Sequence, residues 1–307
     1  MKPKSAALVR YRSGAEASSE RAAFATILTS MTRQRLGQHF LSDAGWREQI
    51  AHAIRVSRYA PERREEQPYC WIEIGAGHGE MTEYLAATGA PVYAVELDPP
   101  LIRRLQSLCG RFPNLTVVPG DILETDLGTL AAGRRIKLYG NLPYYITSPI
   151  LHRFFETAEL IDEIHIVIQR EVASRLVARP GTRDYGYLSV LTQYFSRPAI
   201  ALKLPPGAFQ PPPEVGSALV SMKPPGENAK LGLADSKKFL GFVKTCFAQK
   251  RKTLVNNLRG SAEPVRIKEA LAELKLAASA RAEELSISEM ADLYRHLANQ
   301  ELGAPSL

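Results

Sequence analysis

Cysteine is scarce in this sequence and forms no recognisable pattern. The 307-residue chain has three cysteines, Cys70, Cys109 and Cys246, which lie far apart. An odd number at such distances indicates neither a disulfide framework nor a metal site, and it is typical of a reducing cytoplasm. Cys70 and Cys246 lie in apolar runs and are expected to be small core residues.

Long apolar runs are also missing. No window approaches the ~20 consecutive apolar residues that cross a bilayer, so no membrane span is expected. Residues 1–31 are rich in Ala, Ser and Arg, without the apolar block of a secretory signal. An organelle transit peptide is one interpretation, although Glu16 and Glu20 count against it. A disordered extension, or a true start at Met31, is the preferred interpretation.

Acidic residues are absent from one stretch, Ser236–Gly260. Within a chain of net charge +7 and pI about 9.3, this stretch could be a solvated helix face, but without compensating acids a nucleic-acid surface is the better interpretation. Its seven basic residues are Lys237, Lys238, Lys244, Lys250, Arg251, Lys252 and Arg259.

Runs of strand length alternate with helical patterns through the first two-thirds of the chain. This alternation predicts an α/β fold with a doubly wound, mostly parallel sheet. Two strands without an intervening helix then predict an antiparallel pair at the end of a seven-stranded sheet. The predicted strands are Cys70–Ile74, Val92–Glu96, Thr116–Val118, Ile136–Tyr139, Ile164–Gln169, Ala199–Leu204 and Ala218–Lys223.

The last part of the chain carries only helical patterns. "KPPGENAKLG" at 223–232 has the composition of a linker, and Phe239, Val243 and Cys246 share one apolar stripe at helical spacing. We therefore expect an extension over 1–31, an α/β domain over 32–226 and a small all-helical domain over 227–307.

A glycine-rich turn follows the first predicted strand, in "CWIEIGAGHGE". Gly75, Gly77 and Gly79 are spaced G-x-G-x-G, whereas a dinucleotide site prefers G-x-G-x-x-G to seat a pyrophosphate on a helix N-terminus. A tight structural turn would need the same glycines. The spacing favours S-adenosylmethionine, which has no phosphate, and it makes a nicotinamide dehydrogenase the weaker interpretation.

Acidic residues follow the next two strands. Glu96 comes about 20 residues after the first glycine, where a carboxylate binds ribose hydroxyls in doubly wound folds. Asp121 can accept from an adenine amino group, while Ile122 packs against the ring. The carboxyl ends of parallel strands are where such folds bind ligands, so these side chains are expected to share one site with the glycine turn.

The fourth strand runs into "GNLPYYITSP", residues 140–149. This stretch offers no acid, base or thiol. It does suit an exocyclic amine of a nucleobase, which is too weak an acid to be deprotonated first. The side-chain oxygen of Asn141 and a backbone carbonyl of Leu142 or Pro143 can hold its N–H groups, and Tyr144 offers a face for the base. A proline turn with a core tyrosine is the plainer alternative.

These stretches resemble those of the ribosomal RNA adenine N6,N6-dimethyltransferases, from Gln34 to about Gly260. The matching segments are "LGQHFL", "EIGAGHG", "VELD", "GD", "GNLPYYIT", "QREVASRLVARPGTRDYGYLSVLTQYF", "FQPPPEVGSA" and "FAQKRKTLVNNL". The resemblance is strongest to the bacterial enzymes that act on the small subunit. It implies a class I, Rossmann-like methyltransferase domain that binds S-adenosylmethionine, releases S-adenosylhomocysteine and contains no metal.

The resemblance also implies roles for individual residues. His39 stands where relatives often carry Asn, and both side chains can hydrogen-bond. Phe209 matches an aromatic that forms a second stacking wall for the target base, while Lys250, Arg251 and Lys252 would bind RNA. The cofactor residues that it implies are His39, Leu41, Gly75, Glu96, Asp121 and Asn141.

The implied reaction adds four methyl groups to two adjacent adenosines in a hairpin loop near the 3′ end of 16S rRNA. The expected partner is the small (30S) ribosomal subunit or its precursor, and the expected enzyme is a cytoplasmic monomer. The alternatives are a large-subunit rRNA adenine methyltransferase conferring macrolide resistance, and a non-catalytic RNA-binding or transcription-accessory protein. "FAQKRKTLVNNL" favours the small-subunit enzyme.

Overall fold

The computed structural model of the protein describes residues 39–56, 68–143 and 146–299. The strands are β1 (Phe40–Leu41), β2 (Tyr69–Ile74), β3 (Val92–Glu96), β4 (Leu115–Pro119), β5 (Arg135–Asn141), β6 (Ile161–Gln169), β7 (Arg197–Leu204), β8 (Phe209–Gln210) and β9 (Ser217–Lys223). The first helices are α1 (Ala44–Ala53), α2 (Thr82–Ala86), α3 (Pro99–Leu108), α4 (Leu127–Ala131), α5 (Thr147–Phe155), α6 (Arg170–Leu176) and α7 (Tyr187–Phe195). The later helices are α8 (Asn228–Leu231), α9 (Ser236–Cys246), α10 (Leu254–Leu258), α11 (Pro264–Glu273) and α12 (Ile287–Asn299).

Seven strands form one sheet in the order β4-β3-β2-β5-β6-β9-β7. The first five in this order are parallel to one another, while β9 runs antiparallel to both β6 and β7. The predicted seven-stranded, mostly parallel sheet with an antiparallel end is therefore confirmed. The carboxyl ends of β2 to β6 all lie at one edge, which brings the predicted site residues to that edge.

The two faces of the sheet are covered by different apolar clusters. One contains Ile72, Leu138 and Ile166, and the other contains Trp71 and Val167, in keeping with the alternation of side chains along a strand. Cys70 and Cys246 are fully buried free thiols, as expected. Burial raises the pKa of Cys70 to about 11 and that of Cys246 to about 12, so both thiols stay protonated.

The C-terminal helices share the core of the first face. The Tyr194 and Phe239 rings lie 5.2 Å apart, and the Tyr194 hydroxyl lies 2.9 Å from Ser236 Oγ. The expected linker at 223–232 contains α8 and is held against α7, because a Cβ on Gly226 would overlap the backbone oxygen of Gln193. Among the described helices, none is both long and apolar enough to span a membrane.

One small element has no signal in the sequence, the pairing of β1 with β8. Phe40 lies opposite Gln210, and Leu41 lies opposite Phe209. Two-residue strands are too short to show an alternation of apolar residues. This pair fixes the segment before α1 to the loop that follows β7.

Candidate active site at the carboxyl edge of the sheet

The glycine turn between β2 and α2 has a backbone that only glycine adopts readily. Gly75, Gly77 and Gly79 have φ values of 62°, 59° and 89°. A Cβ on Gly79 would lie 2.6 Å from Leu108 Cδ1, and one on Gly77 would lie 3.2 Å from the Phe40 ring. A Cβ on Gly75 would meet nothing within 4 Å, so Gly75 is the position that a ligand can approach closely.

The Glu96 carboxylate is bound to the backbone of two turns. Its Oε2 accepts from Gly77 N at 2.9 Å, and its Oε1 accepts from Leu97 N at 2.9 Å and from Asp98 N at 3.0 Å. Because the Gly77 N–H already has an anionic partner, a pyrophosphate here would face a carboxylate. The arrangement disfavours a dinucleotide and suits a cofactor without phosphate, and it leaves Glu96 about one of its roughly four lone-pair positions.

Asp121 and Ile122 lie just past the end of β4. Asp121 Oδ1 accepts from Leu123 N at 2.9 Å, and Ile122 is buried. Sequence reasoning missed Leu97, which directly follows Glu96 and is 38% exposed, one of the few exposed large apolar residues in the described chain. The only signal in the sequence was a leucine directly after the predicted ribose-binding acid.

A buried carboxyl group joins the two elements that flank the glycine turn, β2 and α2. Glu73, on β2, accepts from Thr82 Oγ1 at 2.5 Å and is almost completely buried. Burial, in the presence of the Glu80 and Glu96 charges, raises the pKa of Glu73 to about 8. This carboxyl is therefore mostly protonated at neutral pH and adds little negative charge to the site.

Asn141, the last residue of β5, has its amide oriented by the N-terminal segment. Its Nδ2 donates to His39 O at 2.8 Å. The His39 ring interacts elsewhere, with Nδ1 lying 2.7 Å from Pro211 O. Asn141 Oδ1 accepts no hydrogen bond from any residue that the structure describes, so within this part of the chain it is an acceptor whose direction is set by the fold.

The two residues after Asn141 differ in their backbone carbonyls. Pro143 O accepts from Ile146 N at 3.3 Å, whereas Leu142 O accepts no bond within the described chain. Leu142 is therefore the better second acceptor for an amine. The close approach of the backbone requires Gly140, where a Cβ would lie 3.1 Å from Ile74 Cβ and 2.8 Å from Leu142 Cδ2. Tyr144 lies outside the described residues.

The other predicted binding residues lie in two places. Leu41 and Phe209 face each other in the β1–β8 pair, and Phe209 is only 2% exposed, so a base can reach its ring only if the covering residues move. Its stacking role stays a prediction. Lys250, Arg251 and Lys252 are exposed and lie in the turn between α9 and α10. The sequence pattern had predicted a helix at these positions.

Solved structures that share this fold include two nucleic-acid-modifying enzymes. A dimethyladenosine transferase from Plasmodium falciparum has a TM-score of 0.68 at 21% identity, covering 86% of this chain and 98% of that one. The 23S rRNA methyltransferase ErmE has a TM-score of 0.60 at 24% identity, covering 84% and 99%. At these identities the likeness supports the fold alone, that of the class I methyltransferases.

Sequence relatives are closer. Ribosomal RNA small subunit methyltransferase A of Acidobacterium capsulatum is 45% identical over 74% of this chain and 80% of its own length. The protein of the same name from Koribacter versatilis is 37% identical over 86% and 94%. A family model described as ribosomal RNA adenine dimethylase matches residues 29–299. The chain belongs to the ribosomal RNA adenine dimethylase family.

Proposed function

We propose that this protein dimethylates N6 of two adjacent adenosines in the hairpin loop near the 3′ end of 16S rRNA, during assembly of the small ribosomal subunit in the cytoplasm. One observation carries the proposal: at the end of β5, beside the glycine turn, Asn141 Oδ1 and Leu142 O are acceptors without partners among the described residues. The relatives of 37% and 45% identity named for the small subunit support this choice of RNA over the large-subunit alternative.

Two acceptors suit an adenine amine because of its electronic structure. The N6 lone pair is delocalised into the ring, and the amine is too weak an acid for a general base to deprotonate before attack. Acceptors that hold its N–H groups direct the lone pair toward the electrophile instead. Aligned reactants contribute ~7–11 kcal/mol to lowering a barrier, so Asn141 and Leu142 act by positioning.

The residues at the glycine turn fit S-adenosylmethionine. Gly75 leaves room for close approach, Glu96 and Asp121 can accept from ribose and adenine, and Leu97 can pack against the adenine on the side away from Ile122. The Glu96 and Asp121 carboxylates would also repel a pyrophosphate, a group that S-adenosylmethionine does not carry. When bound, this cofactor supplies an electrophilic methyl group.

A separate basic surface would hold the RNA backbone. Lys250 Nζ donates to Arg183 O at 2.6 Å, which joins the turn of Lys250, Arg251 and Lys252 to the loop 179–186, whose residues 179–184 are exposed. Arg179 and Arg183 in that loop add two more exposed cations, which lie outside the stretch 236–260. Loop adenosines are accessible to such an enzyme because duplex RNA hides its base edges.

The test is methyl transfer to immature small subunits from labelled S-adenosylmethionine, followed by nucleoside analysis. The expected product is N6,N6-dimethyladenosine, with primer-extension stops at the 3′ hairpin. Naked large-subunit RNA is the matched arm, and label there alone would support the macrolide-resistance activity instead. Cofactor binding without transfer to either RNA would support a non-catalytic protein.

A further inference from the structure

An arginine follows the strand next to the one that carries Asn141. Val167 on β6 lies directly beside Asn141 on β5. Arg170 comes three residues later, at the carboxyl end of β6, so its Cα lies roughly 7–10 Å further toward the solvent edge of the sheet at the usual strand rise. That is about the span from the exocyclic amine of an adenosine to its own phosphate, and the arginine side chain adds reach.

The Arg170 guanidinium has no partner in the described chain. Arg175, the other arginine of α6, is engaged, because it pairs with Glu171. Since Glu171 is bound to Arg175, the acid next in sequence does not neutralise Arg170. Arg170 is exposed and makes no ion pair with the exposed Glu214. It therefore presents a free positive charge at the edge where the base is expected to bind.

An exposed apolar side chain lies beside this charge. Gly216 O accepts from Arg170 N at 2.9 Å, and a Cβ on Gly216 would lie 4.0 Å from Arg170 Nη1, so the guanidinium lies next to Gly216. The preceding residue, Val215, is 48% exposed, and few other large apolar side chains among the described residues are exposed to this degree. A cation and an apolar contact side by side match the two chemical parts of a nucleotide backbone, its phosphate and its sugar.

We propose that Arg170 binds the phosphate of the nucleotide whose base is held at Asn141, and that Val215 packs against the adjoining sugar. This proposal rests on the proposed function and adds to it the backbone contact of the target nucleotide. A phosphate contact reads no base. The same arginine therefore serves both adjacent adenosines as each in turn occupies the site.

The matched control for Arg170 is Arg197. Arg197 is exposed, is the first residue of β7 and lies at the opposite, amino edge of the same sheet. Arg170→Gln and Arg197→Gln remove the same charge from the two edges. Calorimetric binding of S-adenosylmethionine to each full-length variant establishes that the fold and the cofactor site are intact.

The experiment measures KM and kcat on immature small subunits, and separately the affinity for the isolated 3′ hairpin RNA by fluorescence anisotropy at several salt concentrations. For Arg170→Gln we expect KM to rise about tenfold or more, as when other charge-assisted hydrogen bonds are removed. We also expect the salt slope, the slope of log affinity against log salt concentration, to fall in magnitude by ~0.7–0.9. Arg197→Gln is expected to stay within twofold of the parent. Val215→Ser is expected to raise KM a few-fold with an unchanged salt slope.

Equal KM values and salt slopes for the two Gln variants would overturn the phosphate contact, and an unchanged KM in Val215→Ser would overturn the sugar contact. The hairpin measurement keeps these outcomes separate from the reaction itself. If the parent protein transfers no methyl group to small subunits, the proposed function fails. The comparison of Arg170→Gln with Arg197→Gln in hairpin binding still decides whether Arg170 contacts phosphate.

Discussion

The two halves of the carboxyl edge differ in how far their polar groups are already engaged. On the half formed by β2, β3 and β4, Glu96 accepts three backbone N–H groups and Asp121 accepts one. On the half formed by β5 and β6, Asn141 Oδ1, Leu142 O and the Arg170 guanidinium have no partner among the described residues. The first half is built into the fold, and the second is left for a ligand that brings its own donors and charges.

This difference separates stability from activity. A substitution in the cofactor half removes bonds that hold turns as well as bonds to the ligand, so it should lower both the melting temperature and the cofactor affinity. A substitution in the target half should lower methyl transfer and leave the fold nearly unchanged. Variants of single residues can sharpen or break this comparison.

The largest effect is expected for Asn141→Ala. No other described side chain can replace its oxygen, and misplacing a reacting group by about 1 Å can cost 100-fold in rate. We expect kcat at saturating S-adenosylmethionine to fall by about 100-fold or more. The melting temperature should change little, because the fold loses only the hydrogen bond to His39 O, worth ~0.5–1.5 kcal/mol.

Asn114→Ala is the matched control for Asn141→Ala. The Asn114 amide donates to Ala86 O at 2.9 Å and to Ala90 O at 2.7 Å, away from the carboxyl edge. The Asn114→Ala variant should have a lower melting temperature and an unchanged kcat. Nearly normal turnover in Asn141→Ala would contradict the acceptor role of its side chain.

The second effect is that of Glu96→Ala. Removing a charge-assisted hydrogen bond to the ribose should weaken cofactor binding by ~1.5–3 kcal/mol, measured by calorimetry. Because three backbone N–H groups also lose their acceptor, the cofactor-free protein should melt at a lower temperature. A folded variant with unchanged cofactor affinity would limit Glu96 to a structural role.

Tyr144 tests the target half through an aromatic face. Tyr144→Ala should lose ~1–3 kcal/mol of base stacking, seen as weaker binding of the target loop and slower transfer. Tyr144→Phe keeps the ring and should be mild. If the Phe variant were as inactive as the Ala variant, the hydroxyl would carry the function of Tyr144 and the stacking interpretation would be wrong.

A smaller and purely electrostatic effect is expected at the turn between α9 and α10 that carries Lys250, Arg251 and Lys252, called here the basic turn. Replacing Lys250, Arg251 and Lys252 together by Gln should weaken RNA binding and lower the salt slope by ~0.7–0.9 for each phosphate that the variant no longer neutralises. Cofactor affinity should not change. The charge-matched control replaces the exposed Lys230, Lys268 and Lys275, which lie outside the stretch 236–260. Equal slopes in the two triple variants would identify the basic turn as an ordinary solvated surface.

The smallest effect on methyl transfer is expected for Glu73→Gln, since an amide resembles the protonated carboxyl that Glu73 carries at neutral pH. Its signature is in stability. The pKa of Glu73 is about 8 in the fold against an ordinary value of 4.5, so the folded state binds more protons between these values. Its contribution to the free energy of unfolding therefore falls as pH rises from about 4.5 to 8, by at most ~1.4 kcal/mol per pH unit.

Glu73→Gln should remove this dependence, so denaturant titrations of the variant should give a flatter profile than the parent between these pH values. The amide can still accept from Thr82 Oγ1, which keeps the supporting hydrogen bond. Identical pH profiles for variant and parent would show that Glu73 is ionised in the folded protein across this range.

The elements that the sequence predicted well are those with local signals. Val92–Glu96 has the predicted bounds, because a short apolar run there is bounded by a proline before it and an acid after it. Two kinds of element lacked such a signal: α4 is only five residues long, and β1 and β8 have two residues each. Their formation depends on partners that are distant in sequence.

The same distinction applies to the site. The residue types and their order after each strand were enough to place Gly75, Glu96, Asp121 and Asn141 at one edge. They did not reveal that Glu96 holds the glycine turn, or that His39 contacts Asn141 through its carbonyl while its ring lies against Pro211. These contacts join segments that meet only in the folded chain.

The close backbone contact between Gly226 and the end of α7 affects how an RNA substrate is selected. A backbone contact at Gly226 leaves no space for a methyl group, and one core is shared by the sheet and the C-terminal helices. The turn of Lys250, Arg251 and Lys252 and the residue Asn141 therefore belong to one packed unit. The distance between the two would then determine which nucleotide of a bound hairpin reaches Asn141. A hairpin whose stem is one base pair too long or too short would bind through its backbone and still present the wrong nucleotide to Asn141.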